Sequence, residues 1–265
     1  MSFARLLMMS AALLMMSATL GAAQAPTSGG PVDPALIDDL VAANRILADQ
    51  GVLDAYGHVS IRHPANPNRY LISRAMSPAD VTAADIMELD LDSKPVAPNP
   101  PNSYLERFIH GEIYRARPDV MSVSHSHSPT VIPFGVVPGA VLKPVSHMGG
   151  FIGDGAPVFE IRDTAGPKSD MLVRTPDLGK ALAKSLGAHT IVVMRGHGST
   201  VVGVTLRQAV YRAIYAEWNA RLQLDALRLG SPIYLTREEA KGAAAANDFS
   251  IDRAWGLWKR AVRET

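Results

Sequence analysis

The sequence contains no cysteine among its 265 residues, which excludes disulfide bonds and thiolate chemistry or ligation. An excess of charge of one sign is also lacking, because 26 Lys and Arg residues nearly balance 25 Asp and Glu residues, for a formal net charge of +1. No basic run occurs, so nucleic acid is not the expected partner. The length and the hydrophobic fraction of 47% suit one sizeable globular domain.

Two signatures of common enzyme sites are missing as well. The segment Gly196–Gly203 lacks the Gly-x-Ser-x-Gly pattern of a serine nucleophile. The glycine-rich segment Gly149–Gly155 follows no clear strand-to-helix unit, so it does not predict a nucleotide site. Because neither an internal repeat nor an inter-domain linker is present, the sequence predicts a single α/β domain.

The N-terminus carries an uncharged hydrophobic run, Leu6–Leu20, which follows Arg5 and precedes the small-residue pattern Ala23–Ala25. This run is short for a membrane span, which needs about 20 apolar residues. We therefore predict that residues 1–25 form a signal peptide and that the mature protein, from Pro26, is periplasmic or secreted without stable membrane association. The alternative is an uncleaved anchor. Subtracting the charge of Arg5 from +1 leaves the mature chain with a formal charge of 0.

The rest of the chain alternates helical and extended patterns. Asp33 and Pro34 open an amphipathic helix that Gly51 ends. Further helices are predicted at Ser103–Arg115, Thr175–Leu186, Leu206–Leu229 and over the remaining C-terminal residues, which include Trp255 and Trp258. Strands are predicted at His58–Arg62 and Arg69–Ser73 (a hairpin), Ile86–Leu91, Val120–His125, Thr190–Met194 and Thr200–Val204, with weaker patterns at Val136–Lys143 and Ala156–Ile161. Lys94–Pro101 is a predicted loop.

Three histidines fall at predicted strand ends. His125 and His127 are two apart, so in a strand their side chains point to the same face and can reach one metal ion. His197 follows a hydrophobic strand and lies between two glycines, where the backbone can turn tightly and approach a ligand. Three neutral imidazoles would leave an ion its +2 charge and open positions for substrate. The alternatives are a polar pair at a strand end and a turn histidine.

Glu106 allows two interpretations. With Ser103 it matches a capping box, in which the carboxylate only bonds back to the helix start. Glu106 also lies four residues before His110, so both belong to one helical face that could be directed at the histidines. In that case the carboxylate could serve as metal ligand or as proton shuttle.

Four motifs follow one another along the chain: Glu-x-x-x-His, Arg-Pro-Asp, a strand ending in His-x-His, and a later His-Gly. Their order resembles that of the class II aldolase/adducin family, and the resemblance covers about Leu36–Leu229. The resemblance implies a single three-layer α/β/α domain with a central, mainly antiparallel sheet. It implies that His125, His127 and His197 bind a divalent metal, and that Glu106 acts as acid/base and can also ligate it. It further implies a homotetramer with active sites between subunits.

The sequence departs from the sugar-phosphate aldolases of that family where they bind phosphate. Their Gly-Asn turn, Thr/Gly turn and Ser-Ser pair correspond here to Gly57-His58, Ser73–Met76 and Tyr104-Leu105. Bulky or basic residues thus replace small hydroxyl residues, which argues against a phosphorylated substrate. The segments Glu106–Val120, His125–Gly135 and Arg195–Gly203 instead resemble a branch of decarboxylases that act on hydroxylated aromatic or pyridine carboxylates.

Three further residues are candidates for substrate contacts. Arg74 offers a two-pronged donor suited to a carboxylate, and His58 is a second polar candidate near the pocket. His147 could assist catalysis or orient the substrate. Alternatively, each is an ordinary surface or core residue.

From these patterns we expect a metal-dependent carbon–carbon lyase that decarboxylates a hydroxylated aromatic or heteroaromatic carboxylate through a metal-stabilised enolate. Its partner is then a small-molecule carboxylate, and its metal is zinc, manganese, iron or cobalt. One alternative is an aldolase or epimerase of a sugar or sugar phosphate with the same site. The other is a non-catalytic, adducin-like interaction module, which would be expected to lack the metal ligands that this chain has.

Overall fold

A computed structural model describes residues 27–263 of the protein. The predicted signal peptide lies outside these residues. Within them, none of the helices combines the length and apolar character that a membrane crossing requires.

Seven strands form one sheet in the order β3-β2-β1-β4-β7-β6-β5. The strands are β1 (His58–Arg62), β2 (Arg69–Ser73), β3 (Ile86–Asp90), β4 (Ser122–Ser126), β5 (Val158–Phe159), β6 (Ile191–Met194) and β7 (Gly198–Gly203). Neighbouring strands are antiparallel, except for β5 and β6, which are parallel. The predicted hairpin and the mainly antiparallel sheet are confirmed.

Helices cover both faces of the sheet. They are α1 (Pro34–Asp49), α2 (Phe108–Ala116), α3 (Pro133–Val136), α4 (Arg162–Ala165), α5 (Pro176–Leu186), α6 (Leu206–Leu229) and α7 (Arg237–Ala261). The core on one face contains residues of α1, α6 and α7, and the core on the other contains residues of α2 and α5. Neighbouring residues of a strand alternate between the cores: Val201 of β7 belongs to the first and Val202 to the second. The predicted three-layer α/β/α domain is confirmed.

The helix starts follow local sequence signals. The Asp33 carboxylate accepts a hydrogen bond of 2.9 Å from the Ala35 N–H, and Pro34 occupies the first helical position of α1. Gly51 follows the helix with φ +67°, a conformation that favours glycine. The start of the predicted helix Ser103–Arg115 differs, because a 3₁₀ turn, Leu105–Arg107, precedes α2.

Two weaker strand predictions need correction. Val136–Lys143 is not a strand, because Pro133 begins the short helix α3 and Gly139 has φ +81°, which suits a turn. Pro138 within this segment also lacks the N–H that a strand would use. The predicted strand Ala156–Ile161 is reduced to Val158–Phe159, which are the residues that pair with β6.

Close packing of α5 on α2 requires glycine at position 179, where a Cβ atom would lie 2.5 Å from the Phe108 carbonyl oxygen. We expect Gly179→Ala to lower the free energy of unfolding by about 1–3 kcal/mol, because the helices must separate. The matched control is Gly242→Ala in the interior of α7, where a Cβ meets nothing within 4 Å. That substitution should raise the free energy of unfolding by up to about 1 kcal/mol. Urea unfolding compares the two, and equal effects would contradict the account.

Candidate metal centre

Four side chains from separate parts of the chain converge at one end of the sheet. His125 lies in β4, His127 follows the end of that strand, and His197 lies in the turn between β6 and β7. Glu106 comes from the 3₁₀ turn before α2. One ligand atom from each of the four lies within 4.8 Å of those of the other three. These four residues are the metal ligands that the sequence predicts, and we call them the metal cluster.

The distances within the cluster suit side chains that share one ion. Glu106 Oε2 lies 3.4 Å from His125 Nε2 and 3.3 Å from His197 Nε2. The Nε2 atoms of His127 and His197 are 3.1 Å apart. The carboxylate therefore faces the imidazoles, and the capping-box interpretation of Glu106 is wrong.

The pairing of β4 with β7 brings His197 to the other two histidines. Ser126 of β4, one residue before His127, pairs with Ser199 of β7, two residues after His197. A Cβ atom on Gly198 would collide with the Ser126 carbonyl group, so the close approach of the strands depends on this glycine. The close approach that Gly198 allows is thus to the neighbouring strand, whereas the sequence predicted approach to a ligand.

Backbone groups orient three members of the cluster. The Nδ1 atoms of His125 and His197 lie 3.1 Å and 2.8 Å from the carbonyl oxygens of Ser199 and Met171. Because a carbonyl oxygen only accepts, each Nδ1 carries the proton and each Nε2 presents a lone pair to the cluster. Glu106 is held on its other side, where Oε1 accepts a 2.9 Å hydrogen bond from a backbone N–H, that of Val173.

The chemistry of the cluster fits a divalent cation. Nε2 of His125 is buried without a hydrogen-bond partner among residues 27–263. An unpaired buried acceptor is costly, and ligation of a cation would satisfy it. Three imidazole nitrogens and one carboxylate oxygen are a ligand set that zinc and other first-row divalent metals accept.

The pKa values of the cluster residues reflect how close their side chains lie to one another. Burial alone would raise the pKa of Glu106, but His125 and His197 beside the carboxylate hold this pKa well below its ordinary value. Burial, with His125 and His197 nearby, lowers the pKa of His127 to about 4. For His197 burial is the largest single influence and lowers the pKa, but the Glu106 carboxylate and the Met171 carbonyl group together outweigh it, and the pKa is raised.

A cavity of about 440 Å³ opens beside the cluster, a size suited to a small ligand. Glu106 and His127 of the metal cluster line it. The remaining walls are mainly apolar or aromatic and are formed by Ala55, Tyr56, Gly57, His58, Ala75, Met76, Ser77, Ser103, Tyr104, Leu105 and Leu172. No Lys or Arg residue is among the lining residues that the described chain provides.

His110 is not a member of the metal cluster, although it is four residues from Glu106. Its Nε2 lies 2.6 Å from Nδ1 of His58, and its Nδ1 lies 2.6 Å from Oγ of Ser60. Ser60 Oγ in turn lies 2.7 Å from the Tyr114 hydroxyl. Burial lowers the pKa of His58 well below its ordinary value and that of His110 to about 3. His110 therefore belongs to this hydrogen-bonded group and not to the metal cluster.

Ser60 and Tyr114 are not among the residues predicted from the sequence, although a signal was present. Ser60 follows His58 by two residues in a strand, and Tyr114 follows His110 by four in a helix. Each pair therefore lies on one face of its element. The main-chain contacts of Met171 and Val173 had no such signal, because any residue type offers them.

The two other predicted site residues do not line the cavity. Arg74 donates from Nε to Asp85 at 2.7 Å, and its side chain is 42% exposed. His147 is exposed at the start of the 3₁₀ helix His147–Ile152, which packs on α6 and α7. Within one chain the structure therefore brings His58, but neither Arg74 nor His147, to the cavity.

Comparison with known proteins identifies relatives over most of the chain. Residues 38–224 match the family described as Class II Aldolase and Adducin N-terminal domain. The chain is 39% identical over 240 residues to Decarboxylase tropJ of Talaromyces stipitatus, covering 82% of this chain and 90% of that protein. It is 34% identical over 200 residues to the 3,4-dihydroxyphthalate decarboxylase of a Terrabacter species, covering 71% and 80%. Among solved structures, an aldolase II superfamily protein from Pseudomonas syringae superposes with a TM-score of 0.72 at 21% identity, covering 88% of this chain and 95% of that one.

Removing any of the three histidines should release the metal. We expect His125→Ala, His127→Ala and His197→Ala each to weaken zinc binding by more than the roughly 10–100-fold loss caused by changing an outer-shell partner. Metal content after dialysis, measured by mass spectrometry, checks this. His189→Ala is the control, because this histidine is exposed and outside the cluster. Unchanged metal content in all three cluster variants would refute the assignment.

Proposed function

The chain belongs to the class II aldolase and adducin family, and on this basis we propose that it is a divalent-metal-dependent decarboxylase of a hydroxylated aromatic or heteroaromatic carboxylate. The observation that carries the proposal is the metal cluster, two of whose residues line a cavity with mainly apolar walls. Such walls suit a flat ring, and the cluster suits its acidic substituents. The names of the two decarboxylase relatives support the same reaction class.

Glu106, His125, His127 and His197 would hold the ion, for which zinc, manganese, iron and cobalt are the candidates. When bound, the ion supplies Lewis-acid stabilisation of negative charge on substrate oxygen. The backbone acceptors at Nδ1 of His125 and His197 keep these two imidazoles in the protonation state that ligation requires.

Glu106 is the residue that moves the proton. Loss of carbon dioxide leaves an electron pair on a ring carbon, and this carbon must gain a proton. The ionised Glu106 Oε2 takes the proton of the substrate hydroxyl and returns it to that carbon, while Oε1 stays fixed by the Val173 N–H. The products are carbon dioxide and a phenolate, which is then protonated by water.

The cavity favours this reaction over cleavage of a sugar phosphate. Tyr104 and Leu105 occupy positions at which the resemblance predicts phosphate-binding serines, and both line the cavity. The Tyr104 ring lies 4.5 Å from the His58 ring, and its hydroxyl donates to the Met76 carbonyl oxygen at 2.9 Å. A polyanionic phosphate would find no Lys or Arg side chain among the lining residues of the described chain. An aldolase or epimerase of a sugar or sugar phosphate is the alternative.

The adducin-like alternative, a non-catalytic interaction module, has no need of metal ligands. All four side chains of the cluster are present and converge, which argues for catalysis. Export to the periplasm or medium stays a prediction.

A screen for carbon dioxide release tests the reaction. We expect the zinc-, manganese- or iron-loaded protein to release carbon dioxide from an ortho-hydroxylated aromatic carboxylate and not to cleave fuculose 1-phosphate. Glu106→Gln should lower kcat by about 10²–10⁴-fold, because proton transfer is lost. Glu106→Asp, which keeps a carboxylate, should retain more activity than Glu106→Gln. Cleavage of the sugar phosphate without carbon dioxide release would favour the aldolase instead.

We further propose that Arg74 and His147 act in an active site shared between subunits of a homotetramer, with Arg74 binding the substrate carboxylate and His147 assisting catalysis. This assignment is supported by their positions outside the cavity of a single chain and by the exposure of both side chains. A surface arginine and a surface histidine are available to a neighbouring copy, whereas His58 is buried in its own chain.

Mixed oligomers test whether His147 crosses an interface. Chains carrying Glu106→Gln and chains carrying His147→Ala, each of low activity alone, are co-expressed with different tags and purified together. Random mixing in a homo-oligomer leaves about a quarter of the sites with both residues intact, so activity should recover to about that fraction. The control pairs Glu106→Gln with His125→Ala, which belong to one chain's cluster and should give no recovery. No recovery in the first mixture would contradict the assignment.

A further inference from the structure

A buried row of four hydrogen-bonding side chains runs from the cavity wall into the core. It connects His58, His110, Ser60 and Tyr114 through three contacts of 2.6, 2.6 and 2.7 Å. All four side chains are nearly or fully excluded from solvent, with exposed fractions of 3%, 0%, 0% and 1% respectively. His58 alone lines the cavity, and since its Nδ1 contacts His110, Nε2 is the ring nitrogen left for a ligand.

The direction of these hydrogen bonds follows from counting protons. Each of the four neutral groups carries one polar hydrogen, so three hydrogen bonds leave one hydrogen over. Both ring nitrogens of His110 form hydrogen bonds within the row. The surplus hydrogen therefore belongs to Tyr114, Ser60 or His58. Within residues 27–263, neither the Tyr114 hydroxyl nor Ser60 Oγ has an acceptor outside the row.

A surplus hydrogen on Tyr114 or Ser60 would be buried without an acceptor, which is costly. On Nε2 of His58 it faces the cavity, where water or a ligand accepts it. Tyr114 therefore donates to Ser60, Ser60 donates to Nδ1 of His110, and Nε2 of His110 donates to Nδ1 of His58. If the His58 ring were doubly protonated, it would present the same Nε2–H to the cavity. His58 is therefore a donor through Nε2 whether its ring is neutral or protonated.

We propose that this row fixes His58 as a hydrogen-bond donor through Nε2, directed at a negatively charged oxygen of the substrate. His58 touches the substrate, whereas His110 and Ser60 are positioning residues that set its tautomer. The identity of the acceptor rests on the proposed function: it is the oxygen on which charge collects as carbon dioxide leaves. A donor oriented before the reaction stabilises such charge without reorganisation. The tautomer itself depends only on the fold.

The tautomer can be measured directly by nuclear magnetic resonance of protein labelled with ¹⁵N-histidine, with and without zinc. Long-range ¹H–¹⁵N correlations distinguish protonated from unprotonated ring nitrogens, and His58→Gln identifies the His58 signals by their loss. We expect the Nε2–H form to exceed the Nδ1–H form by about tenfold or more. A predominance of the Nδ1–H form would overturn the proposal.

Substitution of Ser60 tests whether the row sets the tautomer. Ser60→Ala removes the donor that keeps Nδ1 of His110 unprotonated, so the Nδ1–H form of His58 should become measurable. Ser122→Ala is the matched control, because this equally buried hydroxyl donates to the Ser60 carbonyl oxygen at 2.7 Å, outside the row. An unchanged tautomer in Ser60→Ala, or the same shift in both variants, would contradict the role of the row.

Activity gives an independent second readout. With the aromatic carboxylate that releases carbon dioxide, Ser60→Ala should lower kcat by about tenfold, less than the 10²–10³-fold typical of removing a charge-stabilising donor outright. Its metal content should stay that of the unaltered protein. If no carbon dioxide is released by any form, the proposed function fails while the tautomer measurement still decides the inference. A shifted tautomer with unchanged kcat would overturn the substrate role of His58.

Discussion

The buried Nε2 atom of His125 is the constraint on which the site depends. It has no hydrogen-bond partner among the described residues, and its neighbours are the carboxylate of Glu106 and two further imidazoles. A cation placed between these groups satisfies them at once, because the Glu106 carboxylate and the Nε2 atoms of His125 and His197 all offer lone pairs there. The backbone acceptors of Ser199 and Met171 enforce this arrangement by holding the protons of His125 and His197 on Nδ1.

The fold supplies this constraint through strand pairing and one helical segment. The β4–β7 ladder places His125 beside the turn that carries His197, and Gly198 allows the two strands to meet. The 3₁₀ turn before α2 brings Glu106 to the same point. One side of the centre is thus formed by the sheet, while the other opens to a mainly apolar cavity. This combination places the metal cluster next to cavity walls that suit an aromatic ring.

The sequence predicted the parts of the site that depend on periodicity and failed where tertiary contacts decide. Spacing by two in a strand was enough to pair His125 with His127. Spacing by four could not tell whether His110 joins the metal or, as the structure has it, hydrogen-bonds to His58. Likewise, Ser103 and Glu106 match a capping box locally, but a partner 67 residues away, the Val173 N–H, and the histidines determine where the carboxylate points. Main-chain partners of this kind leave no pattern in a sequence.

X-ray absorption spectroscopy of the zinc-loaded protein tests the central claim most directly, since it reports the ligands of the ion without reference to any substrate. The account predicts three imidazole nitrogens at about 2.0–2.1 Å, together with carboxylate or water oxygen at a similar distance. A spectrum with three imidazoles, lost in His197→Ala, would establish the centre from which the proposed chemistry follows. A spectrum with one imidazole or none would contradict it.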